Sequence, residues 1–382
     1  MSTGVAIVGL GIHPFGRTPG VSGRQQGVIA ARRALADAGV RFEQIDLATG
    51  GSMDGGDADS LVSDLGLTGL PFQNLWNGCG TGGSALLAAS HAIAAGAGQL
   101  GLVVGFDAHP RGAFNTDPAS LGIGDWYAES GMMLTTQFFA LKVQRYLHEH
   151  DLDPSILATI AAKAFENGAR NPNAWRRQPL SEREILDAPM INDPLTKFMY
   201  CAPGEGAVAL VVCPSDQAHR YHPRPIHLRS AVLRTRRFGS FEVFSPWLSV
   251  ERGPSPSADA ARLAFEQAGL GPDEIDLFQL QDTESGAELM HMAECGLCED
   301  GEQEDLIRSG ATRIDGSMPI NTDGGCLANG EPIGASGLRQ VHENALQLRG
   351  QAGERQVAGT PRTAFSHVYG SPGLSACTVL SV

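Results

Sequence analysis

The sequence is short of positive charge. Its 28 lysines and arginines stand against 42 aspartates and glutamates, for a net charge of -14. A nucleic-acid binder needs a basic face, so that class is set aside. Long apolar runs are missing too. No stretch reaches the roughly 18 residues that a membrane-spanning helix needs, and no membrane span is expected. The opening Met-Ser-Thr-Gly leads straight into the strand-like VAIVG, so no signal peptide is expected either. The cysteines, Cys79, Cys201, Cys213, Cys295, Cys298, Cys326 and Cys377, are odd in number and scattered. They read as reduced thiols in a cytoplasmic protein. Charged residues are few, at 18%, while glycine reaches 48 residues. That balance suits an α/β enzyme with tight turns and buried helices better than a disordered or coiled-coil chain.

Several motifs are absent. GLGIHPFG has Gly9 and Gly11 but no third glycine at dinucleotide spacing, and Pro14 follows. No Walker A loop and no Gly-x-Ser-x-Gly elbow occurs. Cys295 and Cys298 form a CxxC without a second pair, so no metal site is expected. His148, His150 and Asp151 fit the polar end of a helix over 133–149 better than a ligand set. An acidic chain binds an anionic cofactor only through a local basic patch. Arg234, Arg236 and Arg237, or Arg176 and Arg177, would supply one; solvated surface arginines are the plainer reading of both clusters.

The strongest positive signal is a repeat. Residues 31–47, ARRALADAGVRFEQIDL, match residues 261–277, ARLAFEQAGLGPDEIDL, at 8 of 17 positions with a gapless offset of 230. Each copy reads as an Ala-rich helix, a C-capping glycine, a turn and a strand. The period is far above that of solenoids, so two duplicated α/β halves are expected. The first half has strands at 4–10, 45–50 and 101–106, with helices at 24–38 and 83–96. Residues 110–200 are expected to form an excursion of polar loops and helical stretches over the active-site face. Strand 205–213 follows, and the second half runs from about 225 to a closing strand at 375–381. Pocket-lining residues are expected within 110–200 and 234–250.

Three Gly-rich loops carry the chemistry. WNGCGTGGSALLAA places Cys79 just before a buried helix, where backbone N–H groups are expected to favour the thiolate. A buried structural cysteine is an equal reading of that residue alone. INTDGGCLANGEPIGASGL carries Asn321 and Glu331; Glu331 is a candidate base, or else an exposed loop glutamate. SHVYGSPGLS carries His367 and Tyr369.

Taken together these stretches resemble the thiolase superfamily, and within it the sterol-carrier-protein-type thiolases, also labelled non-specific lipid-transfer proteins. WNGCGTGGSALLAA is similar to their Asn-Asn-Cys-Ala-Thr-Gly nucleophile loop. NTDGGCLANGEPIGASGL is similar to their stretch from Asn-Pro-Ser-Gly-Gly to Gly-His-Pro-Leu-Gly-Ala-Thr-Gly. ARNPNAW, ENALQLRGQAGERQVAG and SHVYGSPG also fit, so the resemblance spans nearly the whole chain. It implies a thiolase fold: two βαβαβαββ halves, 1–224 and 225–382, in five layers, α-β-α-β-α, with an inserted loop domain.

The resemblance also implies roles, and departures from them. Cys79 stands at the acyl-accepting position. Glu331 stands where the family has the histidine of Gly-His-Pro. QDTE replaces His-Asp-Cys-Phe, so Gln281 takes the histidine's place and Thr283 the cysteine's. Val368 takes the other position for an acid/base cysteine, beside His367. Gly370 and Asn321 are implied as oxyanion or backbone groups; beside that, Tyr369 or His367 is a polar candidate for an acid, and Arg236 and Arg237 of the basic cluster are candidate CoA contacts. The implied activity is carbon–carbon bond making or breaking on a lipid- or steroid-type CoA thioester, by acyl transfer, Claisen-type or retro-aldol chemistry. The alternative is a catalytically degenerate subunit that binds lipid or acyl-CoA. No tightly bound cofactor is implied beyond coenzyme A as part of the substrate. A homodimer and a small zinc-ribbon/OB-fold partner protein are implied as assembly.

Overall fold

The structure, a computed structural model, describes residues 4–112, 114–115, 117–122, 124–237, 253–370 and 373–382. Its main sheet has nine strands: β1 Val5–Gly16, β2 Leu47–Gly51, β3 Phe72–Asn74, β4 Gly101–Ala108, β5 Glu205–Pro214, β6 Ile226–Thr235, β7 Leu277–Leu280, β8 Thr363–Gly370 and β9 Leu374–Ser381. The helices that position the site are α1 Gly23–Asp37, α2 Thr81–Ala94, α3 Thr135–Glu149, α4 Ile156–Arg170, α5 Pro256–Ala268, α6 Ser285–Glu294, α7 Gly325–Asn329 and α8 Ile333–Arg349.

The strand order, β3-β2-β4-β5-β1-β6-β9-β8-β7, is close to a palindrome. On one side β2 runs parallel to β4, and β4, β5 and β1 are antiparallel in turn. On the other side β7 runs parallel to β8, and β8, β9 and β6 are antiparallel in turn. Among the described residues the sides pair where Val5–Ile7 of β1 faces Ile226–Leu228 of β6. Residues 206–213 of β5 are all buried. Such strands carry apolar residues on both faces because helices cover both.

Those helices make the layers. α1 lies on the outer face of β1, β4 and β5, and α5 on the outer face of β6 and β9. Between the two half-sheets, α2 touches β2 and β4 on one side and β6 and β9 on the other; α8 touches β4 and β5, then β8 and β9. The order is α-β-α-β-α. Backbones come close in the middle layer. A Cβ on Gly337 would stand 3.1 Å from the Gly83 nitrogen, and one on Gly83 would stand 2.5 Å from the Ala376 Cβ. Glycine is what lets α2 cross α8 and reach β9 here.

The sequence repeat maps onto equivalent elements. Gly39 and Gly269 end the two helices at φ 66° and 68°. A 3-10 turn follows at Phe42–Gln44 and at Pro272–Glu274, and the strands begin at Leu47 and Leu277. Some boundaries differ from the sequence expectation. The first strand runs on to Gly16, and α2 starts at Thr81 rather than 83. ENGAR, within the excursion expected over 110–200, ends α4. SHVYG, expected in a loop, is the end of β8.

One buried carboxylate joins the halves near the start of α8. Asp107, at the end of β4, is fully buried. It accepts hydrogen bonds from the Met53, Asp54, Gly55 and Gly334 N–H groups and the Ser52 hydroxyl at 2.7–3.1 Å. His109 Nε2 accepts from the Ile333 N–H at 3.1 Å, and its Nδ1–H donates to Asp54 at 2.6 Å. The Asp107→Ala variant leaves several of these donors without a partner. It should lose about 3 kcal/mol or more of stability, read from urea unfolding, with Asp107→Asn losing less.

Candidate functional site

Cys79 sits in a turn that the sequence builds locally. Gly78 adopts φ 54°, and its carbonyl accepts from the Thr81 N–H at 3.0 Å and the Thr81 hydroxyl at 2.6 Å. The Asn77 N–H donates to Thr81 Oγ1, and the Asn77 side chain donates to Ser84. These bonds hold the thiol just ahead of α2, half-buried. Gly370 presses on the same turn: a Cβ there would lie 2.6 Å from the Asn77 oxygen and 2.8 Å from the Gly80 nitrogen.

Glu331 arrives from the other central helix. It precedes the capping Pro332 of α8 and is fully buried, so it is not an exposed loop glutamate. Its backbone pairs beside Pro203: the Glu331 N–H donates to the Ala202 oxygen at 2.9 Å, and the Gly204 N–H donates to the Glu331 oxygen at 3.4 Å. Its Oε1 accepts from Gln281 Nε2 at 3.1 Å. Glu331 Oε2 and Gln281 Oε1 are buried without a regular hydrogen-bond partner. The Cys79 thiol is the next group. Burial pushes it well above its ordinary value, and the charge of Glu331 and its hydrogen bonding to the thiol push it further. The thiolate expected from the helix start is therefore not favoured here. A carboxylate beside a desolvated thiol outweighs the partial charge of a helix end.

The segment 200–204 lies between Glu331 and the strip after β7. Tyr200 pairs with Glu284, and the Cys201 N–H donates to the Thr283 oxygen at 2.9 Å. Cys201 is half-buried, and its thiol is raised by burial and then by Glu331. In the sequence it is one of seven scattered cysteines. Nothing in MYCAPGEG marks it, because its neighbours come from residues far along the chain. Arg176, grouped with the basic clusters, is also partly buried: its Nη1 donates to the Tyr200 and Leu327 oxygens at 3.0 and 2.9 Å. α4 braces the loop that leads to Glu331, with Asn167 donating to the Asn321 oxygen and Asn171 to the Asp323 oxygen.

Other expected residues lie elsewhere. Asn321, at φ 55°, spends its side chain inside the protein: Nδ2 donates to Glu288 at 2.7 Å and Oδ1 accepts from the Leu280 N–H at 3.0 Å. Glu288 is in turn paired with Lys163. His367 and Tyr369 share one face of β8, while Val368 and Gly370 take the face toward α2. The His367 Nε2 is held by the Ser257 and Ser375 hydroxyls at 2.9 and 3.2 Å, and its ring packs on His291. Tyr369 packs near His291 and under Lys142. Neither side chain joins the Cys79 cluster, because residues one apart on a strand point to opposite faces. Arg237 is paired with Asp259 at 2.5 Å, and the Arg236 N–H donates to the Gly373 oxygen. Residues 238–250, part of the expected pocket lining, lie outside the described residues. Among the described residues no cluster of three or more His, Cys, Asp and Glu is arranged to hold a metal, and no helix is long and apolar enough to cross a membrane.

Known proteins share this architecture and sequence. Residues 252–381 match the family model described as thiolase C-terminal domain-like. The chain is 30% identical over 387 residues to the acetyl-CoA acetyltransferase of Methanothermobacter thermautotrophicus, covering 99% of each. It is 28% identical to the benzoylsuccinyl-CoA thiolase subunit BbsB of Thauera aromatica, covering 96% of this chain and 94% of that one. Sterol carrier protein 2 of Gallus gallus is 29% identical, covering all of this chain and 72% of the relative. Among solved structures, the Ltp2-ChsH2(DUF35) aldolase superposes with a TM-score of 0.88 at 22% identity, covering 100% of this chain and 98% of that one. Human mitochondrial 3-ketoacyl-CoA thiolase does so with a TM-score of 0.72 at 15% identity, covering 99% and 98%. By sequence along its whole length, the chain belongs to the thiolase family.

Proposed function

We propose that this chain makes or breaks a carbon–carbon bond on a CoA thioester of lipid or steroid type, with Cys79 as a covalent acyl acceptor and Glu331 as its base. The observation that carries the reading is the fully buried Glu331 carboxylate, whose Oε2 receives no regular nitrogen or oxygen donor, hydrogen-bonding with a thiol held protonated. A protonated thiol is a poor nucleophile until a base removes its proton. Glu331 takes that proton as the sulfur attacks the thioester carbonyl. The carbon–sulfur bond to CoA breaks, and Glu331 returns the proton to the departing CoA sulfur. The N–H groups of Cys79 and Gly370 are the proposed donors to the carbonyl oxygen as it gains charge. Gln281 Nε2 fixes the orientation of the base through Oε1.

A second reading is a retro-aldol cleavage without an acyl-enzyme. The raised thiol favours it, since a neutral Cys79 needs no activation there. In both readings the chain works as a homodimer with a small zinc-ribbon/OB-fold partner. Support for a second component comes from the structural neighbour whose name joins Ltp2 to ChsH2(DUF35).

Incubation with a panel of acyl-CoAs, read by intact-protein mass spectrometry, should give an acyl adduct that Cys79→Ala abolishes. Absence of any adduct, with tight thioester binding by calorimetry, would leave the non-covalent aldolase or the binding-subunit alternative. Glu331→Gln should slow acylation by about 100-fold or more, the scale of a lost general base. The same variant removes a negative charge that opposes the thiolate, so iodoacetamide labelling of Cys79, mapped by peptide, should begin at lower pH than in the wild-type protein. Light scattering on a sizing column should give twice the 40.2 kDa chain mass; a stable monomer would rule the homodimer out.

A further inference from the structure

Chemistry at the carbon beside a thioester needs a group that gives that carbon a proton or takes one from it. In the scheme above Glu331 is occupied with the proton of Cys79, and the two positions that the resemblance assigns to a second thiol hold Thr283 and Val368. Valine carries no such proton, and a threonine hydroxyl is a far weaker acid than a thiol.

The backbone delivers a thiol by another route. Cys201 is bonded through its N–H to Thr283, and its next residues, Ala202 to Gly204, run in register with Glu331. The side chain is half-open rather than sealed. Glu331 is close enough for its charge to raise this thiol, and Gln281 is bonded to Glu331; in these two buried side chains Glu331 Oε2 and Gln281 Oε1 receive no regular nitrogen or oxygen donor. Such atoms are costly to leave unpaired, and they mark a place for a proton-bearing group or a substrate atom. We propose that Cys201 is the proton donor and acceptor for the α-carbon of the thioester fragment that departs from, or attacks, the carbonyl carbon bonded to Cys79, acting beside Glu331; this rests on the acyl-transfer reading.

In the cleavage direction the steps balance as follows. Glu331 takes the Cys79 proton, and the Cys79 sulfur bonds to the ketone carbon. The bond from that carbon to the α-carbon breaks, and its electron pair stays on the α-carbon. That carbon takes the proton of the Cys201 thiol. The resulting thiolate is reprotonated by the Glu331 carboxylic acid, so the proton first carried by Cys79 replaces the one delivered. Run backward, Cys201 removes the α-hydrogen. Burial and the Glu331 charge hold the Cys201 thiol in its protonated form, ready to donate. Cys326 also feels Glu331 but is fully buried, and its sulfur faces Arg339 at 3.8 Å. That thiol is not open to a substrate.

The test separates this proposal from the one it rests on. Wild-type protein, Cys201→Ala and Cys201→Ser are each incubated with acetyl-CoA in D2O. One readout is the adduct on Cys79; the other is hydrogen–deuterium exchange at the acetyl α-carbon. Both variants should form the adduct within about threefold of the wild-type rate, which also shows that they are folded. Both should exchange at least about 100-fold more slowly. Exchange within threefold of wild type in Cys201→Ala, or no exchange in a wild-type protein that acylates, overturns the role of Cys201 and leaves acyl transfer standing. Loss of the adduct in both variants also overturns it, by assigning Cys201 to acylation or structure. No adduct in the wild-type protein removes the acyl-transfer reading and this inference with it.

Discussion

The site depends on the close packing of two buried helices between two half-sheets. α2 and α8 touch near Gly83 and Gly337, where no side chain separates their backbones. Cys79 lies just before one helix and Glu331 just before the other. The crossing therefore brings thiol and carboxylate together, although about 250 residues of chain separate them. Asp107 and His109 lock the first turn of α8 to the end of β4, which fixes the carboxylate as firmly as the turn at Asn77–Gly80 fixes the thiol.

Electrostatics then give this site its character. A histidine beside a cysteine can share a proton and leave a thiolate–imidazolium pair. A carboxylate in the same place opposes the thiolate and favours the neutral thiol. The cost of burying Glu331 is met in part by Gln281, whose Nε2 donates to Oε1. A second thiol, Cys201, is likewise raised by burial and by the charge of Glu331.

Much of the fold was legible in the chain. The repeat at 31–47 and 261–277 foretold equivalent helix–turn–strand units, and both sit at matching places in the sheet. Cys79, Glu331 and Gln281 were legible because each falls in a stretch similar to a family motif. His367 and Tyr369 misled because SHVYG reads as a loop, while hydrogen bonding to β9 makes it a strand and its alternation turns both rings away. Asn321 was drawn into pinning β7 through the Leu280 N–H and the Glu288 carboxylate.

By itself, the sequence determined the layered α/β architecture, its duplicated units and the turn that presents Cys79. These follow from local periodicity, capping and glycine placement, which neighbouring residues settle among themselves. Only the tertiary structure decided the state of the thiol, the burial of Glu331, the face that His367 takes and the presence of Cys201. Each of these depends on desolvation and charge from segments remote in the chain, and those terms exist only once the halves have closed around α2 and α8.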